Sequence, residues 1–141
     1  MKYCSDCGAP VSQKIPEFDD RLRFVCSHCG VIHYQNPKVI VGTLPVWQNQ
    51  VLLCRRAIEP QKGYWTLPAG FMENGESTMA GAERETFEEA GATVHNMRFY
   101  RLFDIPYINQ VYLFYLADLV TPEFSPGIES LEVVLFDEQD I

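Results

Sequence analysis

With 141 residues, 47% of them hydrophobic and 21% charged, the chain is long enough for one ordinary globular domain plus a small module. Its formal net charge of −8 argues against a dedicated nucleic-acid binder, because phosphate backbones are held mainly by Lys and Arg. Met1 to Asp6 lacks the apolar core of a signal peptide, and Asp104, Asn109, Gln110 and Asp118 interrupt the longest apolar stretch, so a cytoplasmic protein with no membrane partner is expected.

Residues 1–34 read as a separate module. Cys4-Ser5-Asp6-Cys7-Gly8 and Cys26-Ser27-His28-Cys29-Gly30 are two copies of C-x-x-C-G. Each pair can form a tight knuckle whose thiolates face one cation, with the following glycine turning the backbone. Two knuckles make a closed tetrahedral site for structural Zn²⁺, held by Cys4, Cys7, Cys26 and Cys29. His28, His33 and His95 are assigned ordinary structural roles, and Cys54, in an apolar strand, reads as a small buried hydrophobe. Lys2, Lys14, Arg21 and Arg23 are offset by Asp6, Glu17, Asp19 and Asp20, which favours a structural or dimer-contact role over nucleic-acid binding.

The second domain is expected over residues 38–141. Lys38–Trp47 and Val51–Cys54 read as strands joined at Gln48-Asn49-Gln50. Tyr64–Leu67 reads as a short strand before a Pro/Gly loop. A helix is predicted over Thr78–Ala90, with Ser77 or Thr78 as N-cap and Gly91 as the stop. Strands follow at about Arg98–Phe103, Val111–Leu119 and Leu131–Phe136. Many strands around one central helix make an α+β pattern. Asp137 to Ile141 reads as the start of a further element, so the C-terminal end is expected to be truncated.

The helix carries the chemistry. At about 100° per residue, Glu85, Glu88 and Glu89 share one sector, with Gly81 one turn earlier. Met79, Ala82, Thr86 and Ala90 form a separate stripe toward the core. Three carboxylates on one face repel each other, and a mid-helix glycine costs about 1 kcal/mol against alanine. Both make sense if the face holds a hard divalent cation such as Mg²⁺ or Mn²⁺ and Gly81 leaves room for a ligand. A solvated acidic face is the alternative reading of the same spacing.

The stretch Gly70 to Gly91 resembles the Nudix box, G-x5-E-x7-R-E-U-x-E-E-x-G-U, where U is a bulky aliphatic residue. Gly70, Glu76, Arg84, Glu85, Glu88, Glu89 and Gly91 stand at the required offsets, while Thr86 and Ala92 depart at two U positions. The resemblance implies a Nudix-type α/β/α sandwich around a mixed sheet. Glu85, Glu88 and Glu89 would be presented to the metal, and a Glu76–Arg84 salt bridge would brace the loop. It further implies that a late-loop glutamate completes the metal site, with Glu129 the best match and Glu132 and Glu123 behind it. Glu88 or Glu129 is expected to act as general base, with Glu85 and Glu89 as ligands.

A zinc ribbon ahead of such a domain is similar to the NADH pyrophosphatase branch, but Phe103 to Gln110 does not carry that branch's S-Q-P-W-P-F-P-x-S motif. The runs Asp104-Ile105-Pro106 to Gln110 and Pro126-Gly127-Ile128-Glu129 are closer to plastid-type FAD and ADP-ribose pyrophosphatases. The expected function is therefore metal-dependent hydrolysis of FAD or ADP-ribose to AMP, by a homodimer on analogy alone. Tyr107 would stack on the nucleotide, Gln110 would hydrogen-bond it, and Arg55 or Arg56 would meet a phosphate. NADH pyrophosphatase activity and a non-catalytic nucleotide-sensing module are the alternatives.

Overall fold

The computed structural model describes all 141 residues and divides into two compact units, Met1–Asn36 and Pro37–Ile141. In the first unit, β1 (Val11–Lys14), β2 (Arg23–Cys26) and β3 (Ile32–His33) form an antiparallel sheet in the order β1-β2-β3. None of these strands stands out in the sequence. The ladder runs only from Val11↔Cys26 to Lys14↔Arg23, and β3 adds two pairs. Short strands in a module this small carry little hydrophobic signal, since the knuckles rather than a core hold the ends together.

The second unit is built on a seven-stranded mixed sheet. The strand β4 (Lys38–Trp47) turns at Gln48, where φ is 55°, into β5 (Gln50–Arg56). Two short strands, β6 (Trp65–Thr66) and β7 (Ala69–Phe71), precede the helix α1 (Thr78–Ala90). Then come β8 (Val94–Ile105), β9 (Gln110–Leu119) and β10 (Ser130–Asp137). The order is β10-β5-β4-β9-β8, with β6 paired to β5 and β7 to β4. Only β4 and β9 run parallel, over Lys38↔Gln110 to Val46↔Asp118.

Two departures from the predicted elements have local causes. The expected Pro/Gly loop contains β7, which pairs with β4 through Ile40↔Phe71, Val41↔Gly70 and Gly42↔Ala69. Gly42 permits that approach, because a Cβ there would run into the Ala69 side chain and the Pro68 carbonyl. The strand expected from Arg98 begins at Val94, and its two irregularities, between His95 and Arg98 and between Phe99 and Arg101, break the alternation that marks a strand.

The helix keeps its predicted bounds. The Ser77 hydroxyl accepts from the Ala80 N–H at 3.1 Å, and Gly91, at φ 59°, donates its N–H to the Phe87 carbonyl at 2.8 Å. Ala82, Thr86 and Ala90 are fully buried, Ala82 in a cluster with Val41 and Tyr115 and Ala90 in one with Leu52, Cys54, Ala117, Leu119 and Val133. Met79 departs from the expected stripe: it lies 42% exposed in the first turn, beyond the edge of that core. The Nudix-type mixed sheet is thus present, with α1 as the α-helix packed on it. Glu138–Asp140 forms a short 3-10 turn.

Thr86 fills its aliphatic position by a hydroxyl pair. Its Oγ1 donates to the Ala82 carbonyl at 2.7 Å and lies 2.6 Å from Thr43 Oγ1, with both threonines fully buried. Because the Thr86 proton is committed to Ala82, Thr43 is the donor of the pair. Thr86→Val should therefore orphan the Thr43 hydroxyl and cost about 1–3 kcal/mol. Adding Thr43→Val should recover most of that loss. Urea denaturation of the two single variants and the double variant checks this; additive losses would mean the two hydroxyls do not act as a pair.

Candidate active site and cysteine cluster

The loop between β7 and α1 is clamped by Arg84. Its Nε and Nη2 donate to the two Glu76 carboxylate oxygens at 3.1 and 2.8 Å, and Nη2 also reaches the Phe71 carbonyl at 3.1 Å. Glu76 Oε1 in turn accepts from the Glu73 N–H at 2.7 Å. The Arg84 guanidinium and the Glu73 N–H hold the Glu76 carboxyl down at about 2. The remaining Arg84 nitrogen, Nη1, lies between Glu85 Oε1 at 2.7 Å and Glu88 Oε2 at 3.0 Å.

The glycines around this clamp are spaces for carboxylates and backbone. A side chain on Gly70 would run into the Glu85 carboxylate, which explains a glycine there. Gly81 does not leave room for a ligand as expected from the sequence. A Cβ at that position would meet the Glu76 carboxylate and the Val41 side chain, so the space is already used by the clamp and the core.

Glu85 and Glu89 are 9% and 8% exposed, whereas Glu88 stands toward solvent. Burial raises the Glu85 carboxyl despite the Arg84 bond, with the Glu88 and Glu129 charges adding to the rise. Burial also pushes Glu89 up to about 7, assisted by the Glu85 and Glu129 charges and opposed by the Ala69 N–H, 3.2 Å from Oε2, and by Arg56. Buried oxygens carrying this much uncompensated negative charge fit a hard divalent cation. The four glutamates do not form a ready-made cage, however, and the positive group between Glu85 and Glu88 is Arg84 itself.

Glu129 reaches this charge cluster because the β9–β10 loop is pinned to the end of α1. Ser125 and Gly127 donate their N–H groups to the Ala90 and Glu89 carbonyls at 2.8 and 3.0 Å, and Ala57 donates to the Glu129 carbonyl at 2.8 Å. Gly127 is a packing position that residue-type reasoning passed over: any Cβ there would run into the Glu88 carbonyl. The only sequence signal was its Pro126-Gly127 dipeptide. Glu132, by contrast, pairs with Arg55 at 3.6 Å.

The nucleotide-contact candidates are dispersed. Arg55 donates to the Gly63 carbonyl at 3.1 Å, while Arg56 is the arginine whose charge acts on Glu89. Tyr107 is 87% exposed on the 3-10 turn between β8 and β9. Gln110 accepts from the Tyr112 hydroxyl at 3.0 Å, at the end of β9 that pairs with Lys38.

In the first unit the sulfurs of Cys4, Cys7, Cys26 and Cys29 all lie within 4.8 Å of one another. Gly8 and Gly30, at φ 73° and 75°, return their N–H groups to the Cys4 and Cys26 carbonyls at 3.0 and 3.2 Å. The Cys29 and His28 N–H groups both point at Cys26 Sγ, 3.4 Å away, and hold its thiol down, while the neighbouring sulfurs raise the Cys29 thiol in turn. Four converging thiol ligands with no carboxylate among them suit structural zinc. Elemental analysis should find one zinc per chain. Cys26→Ser should lower that occupancy while the second unit keeps its cooperative unfolding; full zinc content in the variant would place the metal elsewhere.

The charge on Glu89 has a consequence for stability. An acid raised from its ordinary 4.5 to about 7 by folding takes up a proton on folding between those values. Its cost to the fold is absent below about pH 4.5, grows toward pH 7 and is constant above. In buffer without divalent cations, Glu89→Gln should therefore raise the melting temperature at pH 8 and leave it unchanged at pH 4.5. Equal effects at both values would mean that Glu89 does not carry this buried charge.

The family comparisons agree with this geometry. The model for the Nudix N-terminal zinc ribbon matches residues 2–35, and the NUDIX domain model matches residues 36–141. NAD-capped RNA hydrolase NudC of Haemophilus influenzae (strain PittGG) is 32% identical over 129 residues, which cover 88% of this chain and 46% of that protein. NudC of Photobacterium profundum is 30% identical over 133 residues, 93% of this chain and 47% of that one. The chain thus spans about half the length of the curated relatives it matches. A solved NUDIX hydrolase from Nitrosomonas europaea is 57% identical, with a TM-score of 0.96 over 100% of this chain and 80% of that one. The NUDIX domain of Shewanella oneidensis NrtR, solved with ADP ribose, is 19% identical with a TM-score of 0.66 over 76% of this chain and 77% of that one, a likeness of fold alone. Box, mixed sheet and zinc ribbon together make this chain a member of the Nudix hydrolase family.

Proposed function

We propose that the chain hydrolyses a pyrophosphate bond in a nucleoside-diphosphate derivative, using Mg²⁺ or Mn²⁺ held by Glu85, Glu88, Glu89 and Glu129. The observation that carries this reading is the pair of buried carboxylates, Glu85 with Arg84 as its one ion-pair partner and Glu89 with none, beside the exposed Glu88 and Glu129. Bound there, the divalent ion supplies Lewis acidity toward the pyrophosphate and lowers the pKa of water. Glu129 is the better placed general base of the two candidates, since its side chain is in no ion pair whereas Glu88 holds Arg84 at 3.0 Å. Arg56 is positioned by its bond to the Pro60 carbonyl, 2.9 Å away, and meets a substrate phosphate on the Glu89 side. Glu76 and Arg84 position the helix and its loop.

FAD or ADP-ribose is the substrate favoured by the Asp104-Ile105-Pro106-Tyr107 run and by the exposure of Tyr107, whose ring is free to stack on a base. The products are AMP with FMN or ribose 5-phosphate. A second reading, a dinucleotide of the NAD type, is supported by the likeness to proteins named NAD-capped RNA hydrolase; the net charge of −8 speaks against a long RNA partner. A sensor without turnover would have no need of the intact set of box carboxylates.

Side-by-side kcat/KM values for FAD, ADP-ribose, NADH and dGTP, with Mg²⁺, decide between these readings. Preference for FAD or ADP-ribose is expected; preference for NADH selects the second reading, and absence of any turnover selects the sensor. Glu89→Gln should lower kcat/KM by on the order of 10²–10³-fold, and Glu129→Gln by a smaller but clear factor. Unchanged turnover in Glu89→Gln would remove α1 as the metal platform.

A further inference from the structure

The two knuckles of the ribbon make matching bonds at their first cysteines and differ there in one donor to the sulfur. Cys4 and Cys26 are each the first cysteine of a knuckle, and both are buried, at 4% and 3% exposure; Cys7 and Cys29 are exposed. Cys4 donates its N–H to the Ala9 carbonyl at 2.8 Å, and Cys26 to the Val31 carbonyl at 2.9 Å, each five residues on. The Asp6 N–H reaches Cys4 Sγ at 3.4 Å, as the His28 N–H reaches Cys26 Sγ at 3.4 Å. Cys26 then receives a second donor, the Cys29 N–H at 3.4 Å. The corresponding Cys7 N–H makes no such bond to Cys4. In its place His33, on β3, brings Nε2 to 3.3 Å from Cys4 Sγ.

We propose that His33 is the outer-shell donor for the ribbon's zinc site: an imidazole that carries a proton on Nε2 and donates it to the Cys4 thiolate. A zinc-bound sulfur has no proton to give, so the bond can run only from ring to sulfur. A buried thiolate out of reach of water needs such donors, and each one spreads the negative charge of the sulfur and makes it harder to protonate off the metal. His33 is held in place by the β2–β3 ladder, where it pairs with Phe24 two residues from Cys26. The ring therefore ties the first knuckle to the strand that ends in the second. His33 is a positioning residue and not a fifth ligand, because four sulfurs already complete the tetrahedral shell.

The test uses the full chain loaded with zinc or, for spectroscopy, with Co²⁺. Zinc K-edge absorption of the wild type should show four sulfurs and no nitrogen; a shell of three sulfurs and one nitrogen would make His33 a ligand and overturn the proposal. His33→Phe keeps a flat ring but no donor, and His33→Gln keeps an N–H. Zinc release to a chromophoric chelator should be about tenfold faster from H33F than from the wild type, with H33Q between the two. The cobalt–thiolate charge-transfer band of H33F should move to lower energy, since losing the hydrogen bond raises the sulfur lone pair. Failure of H33F to retain metal while H33Q retains it is the same result in extreme form. Release from H33F at the wild-type rate, or equal release from H33F and H33Q, would show that the N–H contributes nothing and would sink the idea.

Discussion

The guanidinium of Arg84 is the interaction on which the second unit's site depends. One side chain neutralises Glu76, caps the Phe71 carbonyl and stands between Glu85 and Glu88. It thereby joins the loop after β7 to the exposed face of α1, and it offsets part of the repulsion that three helical carboxylates would otherwise impose. A planar fork with five fixed donors is suited to this task, whereas a lysine with three could not make the same bonds to three carboxylates and a carbonyl at once.

Around that hub the backbone has been cleared for acidic groups. Gly70 gives its Cβ space to Glu85, Gly81 to Glu76, and Gly127 to the Glu88 carbonyl. None of these three needs a left-handed backbone; each is small because something else must come close. Gly91 differs, since it closes the helix at φ 59°. The acidic face and the glycines are thus one design, in which negative charge is concentrated on a rigid helix at the cost of local stability. Such an arrangement is expected where function rather than folding sets the residue choice.

The ribbon achieves rigidity by other means. Its strands are two to four residues long and bury little apolar surface, so the sulfur cluster takes the place of a core. Backbone N–H groups and one histidine face the buried sulfurs, and the arrangement suits thiolates gathered on a cation.

The helix and its caps, the C-x-x-C-G pairs and the spacing of Glu76, Arg84, Glu85, Glu88 and Glu89 are legible in the amino-acid order alone, because each of these is a local pattern. Ser77 and Gly91 act within one turn of α1, and a helix places residues three and four apart on one face whatever surrounds it. Long-range packing decided the rest. Gly42 admits β7 only because β7 comes to lie beside β4, and Gly81 serves Glu76 and Val41, which are remote in sequence or on another element. Thr86 satisfies an aliphatic position because Thr43 happens to face it across the core. Glu129 approaches α1 through a loop whose own residues carry no periodic signal, and its place is set by backbone bonds to Ala90, Glu89 and Ala57. The choice between Arg55 and Arg56 is likewise one of strand alternation and pairing, since neighbouring residues on β5 point to opposite faces and only the fold says which face meets Glu89.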